Sequence, residues 1–140
     1  MGNDGCVGEP RVGCGAAIVV GGRILLLRRL TPPEADCWGL PGGKIDLFET
    51  ADAAMRREVA EEVGVIVGAA ALLCWVDQID RTAGTHWVAP VFEVHDFTGT
   101  PGNREPAKHD GPVWFPLDAL PDRLTTPTRA AIGVLHQRGC

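Results

Sequence analysis

The segment Glu49 to Gly64, ETADAAMRREVAEEVG, constrains the fold more than any other part of the chain. It reads as an amphipathic helix with both ends marked. Thr50 can accept a hydrogen bond from a free N–H of the first turn, and Asp52 suits the positive end of the helix dipole. Gly64 can adopt the left-handed conformation that closes the last turn. Met55, Val59 and Val63 recur at helical spacing and form one apolar stripe. Glu58, Glu61 and Glu62 fall on a neighbouring arc of roughly 100°, because residues three and four apart share a face. A helix with a single apolar stripe must cover a second layer.

The rest of the sequence supplies that layer as strands. Residues 12–20, VGCGAAIVV, are small and β-branched, and Gly21-Gly22 joins them to RILLLRR. Two apolar runs linked by Gly-Gly predict a hairpin, since a two-residue turn needs φ > 0 at both positions. Thr31 to Asp36 contains Pro32-Pro33 and predicts a loop, and Trp38 to Gly43 a glycine-rich turn. After the helix, Val65 to Gln78 reads as one or two strands and Asp80 to Thr85 as a turn. His86 to Phe97 reads as a strand whose Pro90 implies an edge or a bulge. Thr98 to Gly111 reads as a loop, Pro112 to Phe115 as a short strand and Leu117 to Leu120 as one helical turn. A last helix runs to about Gln137, with Pro127 in its first turn.

The order predicts an α/β (α+β) sandwich with a mixed β-sheet, having too few helices for a regular alternating βαβ fold. Residues 1–10, Gly-rich and polar, are expected to be a flexible N-terminus, and residues 11–140 a single domain.

Composition excludes several classes. At 45% hydrophobic the chain is too apolar to be intrinsically disordered. No apolar run reaches the ~20 residues of a membrane span. Met1 to Pro10 lacks a basic stretch followed by an apolar one, so no signal peptide is expected. Thirteen Lys and Arg against eighteen Asp and Glu give a net charge of −5, a poor footprint for binding duplex nucleic acid. The cysteines, Cys6, Cys14, Cys37, Cys74 and Cys140, form no C-x-x-C pair and are odd in number. They are expected to be reduced thiols of a cytoplasmic protein.

The chemistry concentrates on the first helix. Glu58, Glu61 and Glu62 repel one another by a few tenths of a kcal/mol per pair, roughly, and stand at the negative end of the helix dipole. A divalent cation, Mg²⁺ or Mn²⁺, would convert that repulsion into coordination, because hard cations want several oxygen ligands. The Pro41-Gly42-Gly43 turn allows backbone to approach a ligand closely, and a carbonyl there could join the metal shell. A solvated helix face and an ordinary tight turn are the plain alternatives.

These residues match a family. Gly43, five residues, Glu49, seven residues, Arg57-Glu58-Val59, one residue, Glu61-Glu62, one residue, Gly64-Val65 together reproduce the Nudix box without a departure. CWGLPGG at Cys37 to Gly43 resembles the lead-in to the box. WFPLDALP at Trp114 to Pro121 resembles a late segment of the family. The likeness covers roughly residues 12–137 and implies a three-layer α/β/α sandwich that hydrolyses a nucleoside diphosphate linked to a variable group. It implies Glu58 and Glu62 as the main metal ligands, and Glu61 as a further ligand or a water-activating residue. The carbonyl of Gly42 or Gly43 is implied as another ligand. Arg57 would orient a catalytic glutamate, Glu49 would support the helix position and Gly64 its end. Many members add a carboxylate from a later loop, for which Glu105 and Asp110, and then Glu93, are candidates. An ordinary surface acid is the alternative for each.

Markers outside the box narrow the substrate. The chain has no tyrosine, which the diadenosine polyphosphate group carries after the box. Its first proline after Val65 is Pro90, too late for the ADP-ribose group. The NADH-type tail and the coenzyme A signature are missing. Glu105 to Pro121 resembles MutT-type nucleoside triphosphate pyrophosphatases, which implies a nucleotide as the partner molecule. Trp114 is then a candidate base-pocket residue, since stacking on a base is worth ~1–3 kcal/mol. A core tryptophan is the alternative. Arg28 is a candidate phosphate contact, and Arg29 reads rather as a solvated strand-end charge. Trp38, Trp87 and the histidines 86, 95, 109 and 136 read as packing or surface residues. Another nucleotide-linked pyrophosphatase, of ADP-ribose or a nucleotide sugar, is the alternative activity. A domain that binds nucleotide without turnover would be expected to have lost box glutamates, and none is lost here. Similar proteins are often homodimers, and no residue pattern marks a partner surface.

Overall fold

The computed structural model describes residues 8–139. The expectation of a flexible start therefore lies, for residues 1–7, outside the described residues, as do Cys6 and Cys140. Eleven elements follow one another: β1 (Arg11–Val20), β2 (Arg23–Arg29), β3 (Trp38–Gly39), β4 (Gly42–Lys44), α1 (Ala51–Val63), β5 (Ile66–Val67), β6 (Ala70–Asp80), β7 (Thr85–Val94), β8 (Phe97–Thr98), β9 (His109–Pro116) and α2 (Thr126–Gln137). Seven strands form one mixed sheet with the path β3-β2-β1-β7-β6, in which β4 pairs with β1 and β9 with β2. β1 runs parallel to β7 and antiparallel to its other partners. β5 and β8 form a separate two-stranded ladder.

Alternation along the central strands sorts the core into two layers. Cys14, Ala16 and Ile18 of β1, with Leu25 and Leu27 of β2, pack against Met55, Val59 and Val63 of α1. Ala17 and Val19, with Ile24 and Leu26, pack against Ala131, Ile132 and Leu135 of α2. The result is the expected α/β/α sandwich, with the predicted apolar stripe of α1 fully buried. Both predicted ends of α1 are present. Thr50 accepts from the Ala53 N–H at 3.1 Å, and Gly64, at φ 75°, donates to Ala60 and Val59. Cys14, Cys37 and Cys74 are free thiols.

Two local expectations change. The strand predicted from Pro112 begins at His109, because residues 109–116 pair along β2 through a bulge between Leu26 and Arg28. Leu117 to Leu120 forms a turn rather than helix. Of the two alternatives for Pro90, the structure has the bulge: Pro90 lies in an interior strand and pairs with Trp75 beside a register shift between Leu72 and Cys74.

Candidate active site

Helix α1 presents its glutamates at graded depth. Glu62 is buried, Glu58 half-buried and Glu61 exposed. β4 crosses close beneath them. A Cβ on Gly43 would stand 2.5–2.6 Å from the Glu58 carboxylate, and one on Gly42 would overlap the backbone of Cys14 and Gly15. Glycine at both positions is thus a condition of the approach. The Gly42 N–H donates to Glu62 Oε1 at 2.9 Å, which fixes the deepest carboxylate to the turn. The Gly43 carbonyl accepts from the Cys14 thiol at 3.5 Å. Burial pushes that thiol up to about 11.

Arg57 ties the surrounding acids together. Its Nε and Nη2 donate to the two oxygens of Glu49 at 2.7 and 3.0 Å. Nη1 donates to Glu58 at 3.1 Å and to Glu61 at 3.2 Å, and Nη2 also reaches the Lys44 carbonyl at 3.0 Å. Those hydrogen bonds hold the Glu49 carboxyl down at about 2 and raise Arg57 above its usual range. Glu58 goes the other way. Burial, and then the neighbouring charge of Glu62, raise its carboxyl above the ordinary value. Burial and a like charge both disfavour the ionised form, and an opposite charge close by would favour it.

The loop before β9 is fastened to the end of α1. The Gly102 and Arg104 N–H groups donate to the Val63 and Glu62 carbonyls at 3.0 Å each, satisfying helix-end acceptors. Asn103 accepts from the Glu105 N–H at 3.1 Å and donates to the His109 carbonyl at 2.7 Å. This brings Glu105 and His109 to Glu62, with one potential ligand atom from each within 4.8 Å of the others.

Glu62, His109, Gly42 and Gly43 open on a cleft of about 920 Å³. Its floor is β1, where Gly13 and Gly15 leave room, and its far wall includes Trp87, Gln78 and the start of α2. Lys44 and Arg29 stand on its rim, the latter held by the Pro33 carbonyl at 2.6 Å.

Thus the structure gathers Glu49, Arg57, Glu58, Glu61, Glu62, Gly42, Gly43 and Glu105, while Gly64 ends the helix that carries them. Four expected residues lie elsewhere. Arg28 pairs with Asp110 and with Asp36 rather than lining the cleft, so Asp110 is drawn away from α1 as well. Trp114 stacks on Phe97, centroids 6.3 Å apart, and packs against the α1-side core. Glu93 lies two residues beyond Val91, toward the end of β7 away from Trp87, where it binds Arg138 at 2.7 Å and does not line the cleft. Sequence reasoning passed over His109, Arg29 and Trp87. For His109 the available signal was its position four residues after Glu105; for the other two, the strand register decides and the sequence does not print it.

The sequence model of the NUDIX domain matches residues 9–133, and the chain belongs to that family. It is 37% identical, over 76% of its length and 73% of the relative's, to a candidate 8-oxo-dGTP diphosphatase of Mycobacterium tuberculosis. It is 32% identical, over 81% of its length and 66% of the relative's, to an ADP-ribose pyrophosphatase of Methanocaldococcus jannaschii. Among solved structures it resembles a MutT NUDIX hydrolase from Burkholderia pseudomallei, with 54% identity and a TM-score of 0.90. That match covers 91% of this chain and 98% of the other. The protein is a Nudix hydrolase with MutT-like relatives, and hydrolases of this family typically use divalent metals. Among the described residues no helix is long and apolar enough to cross a membrane.

Proposed function

We propose that the chain hydrolyses nucleoside triphosphates, oxidised or non-standard ones included, to a nucleoside monophosphate and pyrophosphate with Mg²⁺ or Mn²⁺. The observation that carries this reading is the position of Glu62. It is a buried carboxylate beside Glu58 and it opens on a cleft of about 920 Å³. The donors fit a divalent cation. Glu62, buried, and Glu58, half-buried, are neighbouring like charges, and the guanidinium beside them, Arg57, gives two of its nitrogens to Glu49. Glu58, Glu62 and Glu105 would hold the ion, with the Gly43 carbonyl as a further donor. When bound, it lowers the pKa of water and neutralises charge developing on phosphoryl oxygens.

The chain's own residues do the rest. Arg57, locked by Glu49, positions Glu58 and Glu61. Glu61, exposed and held at one oxygen, takes the proton of the attacking water in this reading or joins the metal shell. Water oxygen bonds to phosphorus as the anhydride P–O bond breaks. Trp87 offers a stacking face for the base, and Arg29 and Lys44 offer charge to the phosphates.

The M. jannaschii relative favours a second reading, hydrolysis of a nucleotide-linked substrate such as ADP-ribose. A substrate panel separates the two. It would hold standard and oxidised nucleoside triphosphates, ADP-ribose, NADH and nucleotide sugars, with products identified. Pyrophosphate with a monophosphate, from triphosphates, supports the first reading. Turnover confined to ADP-ribose or a nucleotide sugar replaces it with the second.

A further inference from the structure

We infer that His109 is a nitrogen ligand of a metal subsite completed by Glu62 and Glu105, one that takes Mn²⁺ and the later first-row ions in preference to Mg²⁺. The inference rests on the reading of the α1 carboxylates as metal ligands and adds a donor which that reading lacks.

The His109 side chain is 8% exposed, and the Glu62 side chain facing it is 11% exposed. Nδ1 is buried with no hydrogen-bond partner. Nε2 lies 3.7 Å from Glu62 Oε2, too far for a hydrogen bond. Two ligands bound ~2.0–2.2 Å from one ion stand roughly 3–4 Å apart, so the separation suits a shared cation. Glu105 completes the group, with Lys108 at 3.5 Å as its ion-pair partner on the solvent side.

The backbone holds this arrangement rather than leaving it to chance. The His109 N–H donates to the Glu105 carbonyl at 3.2 Å, which turns the chain so that both side chains reach one side. Asn103 clamps both residues, and the Arg104 N–H fastens the loop to the Glu62 carbonyl. His109 and Glu62 also line the cleft, so an ion between them would face the substrate.

Donor chemistry sets the preference. Magnesium is served by oxygen donors and retained waters. Imidazole nitrogen suits zinc, copper, iron and nickel, and the affinity of a mixed nitrogen-oxygen site climbs along the first row from Mn²⁺, the ion that also takes oxygen donors.

The test uses substrate-free protein and Mn²⁺, read by pulsed electron paramagnetic resonance. Wild type is expected to show a ¹⁴N coupling to the bound ion, and His109→Gln to lose it while still binding Mn²⁺. The variant should bind Mn²⁺ and Co²⁺ about tenfold more weakly or worse, with Mg²⁺ affinity changed less than about twofold. A wild-type spectrum without ¹⁴N coupling overturns the inference, whatever the variant does. So does a coupling that survives His109→Gln, since the nitrogen then comes from elsewhere. Glu62→Gln is expected to abolish Mn²⁺ binding in the same assay. Mn²⁺ binding that persists there overturns the carboxylate reading itself, a different failure from a missing nitrogen.

Discussion

Glu49 and Arg57 meet through two hydrogen bonds, Nε to Oε2 at 2.7 Å and Nη2 to Oε1 at 3.0 Å, eight residues apart in sequence. The fork leaves Nη1 for Glu58 and Glu61, at 3.1 and 3.2 Å. Lysine has one nitrogen and cannot serve both ends. Arg57→Lys is expected to lower kcat by ~10–100-fold through misplaced glutamates, with KM nearly unchanged. Steady-state kinetics on any accepted substrate checks this; an unchanged kcat would show that the fork positions nothing.

The same pair makes stability depend on pH. Hydrogen bonds from Arg57 hold the Glu49 carboxyl at about 2, against an ordinary value of 4.5. Between those values the folded chain binds fewer protons than the unfolded one, so stability falls as pH falls. The contribution is complete above about pH 4.5 and is lost as pH drops toward 2. Denaturant unfolding of wild type and Glu49→Gln should differ most above about pH 5 and converge only as pH falls to about 2. A gap that widens in acid would contradict the assignment.

Gly43 offers a test that separates activity from stability. An added Cβ would stand 2.5–2.6 Å from the Glu58 carboxylate, the end of a side chain that can swing away. Gly43→Ala should therefore fold, displace Glu58 and cost ~100-fold or more in kcat/KM, as misplacements near 1 Å do. Retained activity, in a variant shown to be folded, would remove Glu58 from the reacting centre.

The tryptophans divide by layer. Trp87 lines the cleft, while Trp114 packs on Phe97 beside the α1 core. Trp87→Ala should raise KM by roughly 5–100-fold, the equivalent of ~1–3 kcal/mol of stacking, with a small change in stability. Trp114→Leu should instead lower stability by ~1–3 kcal/mol and leave KM within about twofold. Thermal unfolding beside steady-state kinetics distinguishes them, and the reverse pattern would restore Trp114 to the base pocket.

How far the sequence reaches follows from what each residue depends on. Thr50, Met55, Val59, Val63 and Gly64 obey spacing along one helix, so the sequence alone predicts their roles. The same holds for the arc of Glu58, Glu61 and Glu62. Arg28 and Arg29 differ by one position, and strand alternation puts Arg29 with Leu27 on the cleft, while Arg28 pairs with Asp110 and Asp36. Which face of β2 meets the cleft is set by strands distant in sequence and leaves no local mark. Glu93 is set apart by its place along β7: Trp87, Ala89 and Val91 line the cleft, and Glu93, two residues further on, binds Arg138 instead. His109 is recognisable once the loop is fastened to the end of α1 by the Gly102 and Arg104 N–H groups.

The most direct measurement is ³¹P NMR of a deoxynucleoside triphosphate incubated with the protein and Mg²⁺, beside Glu62→Gln and a chelated control. Glu62, buried and fixed by the Gly42 N–H, should be required. Wild type should give monophosphate and pyrophosphate resonances growing together, and both controls should give neither. Orthophosphate appearing with a diphosphate, or turnover that survives Glu62→Gln, would contradict a carboxylate-held metal acting on the internal anhydride.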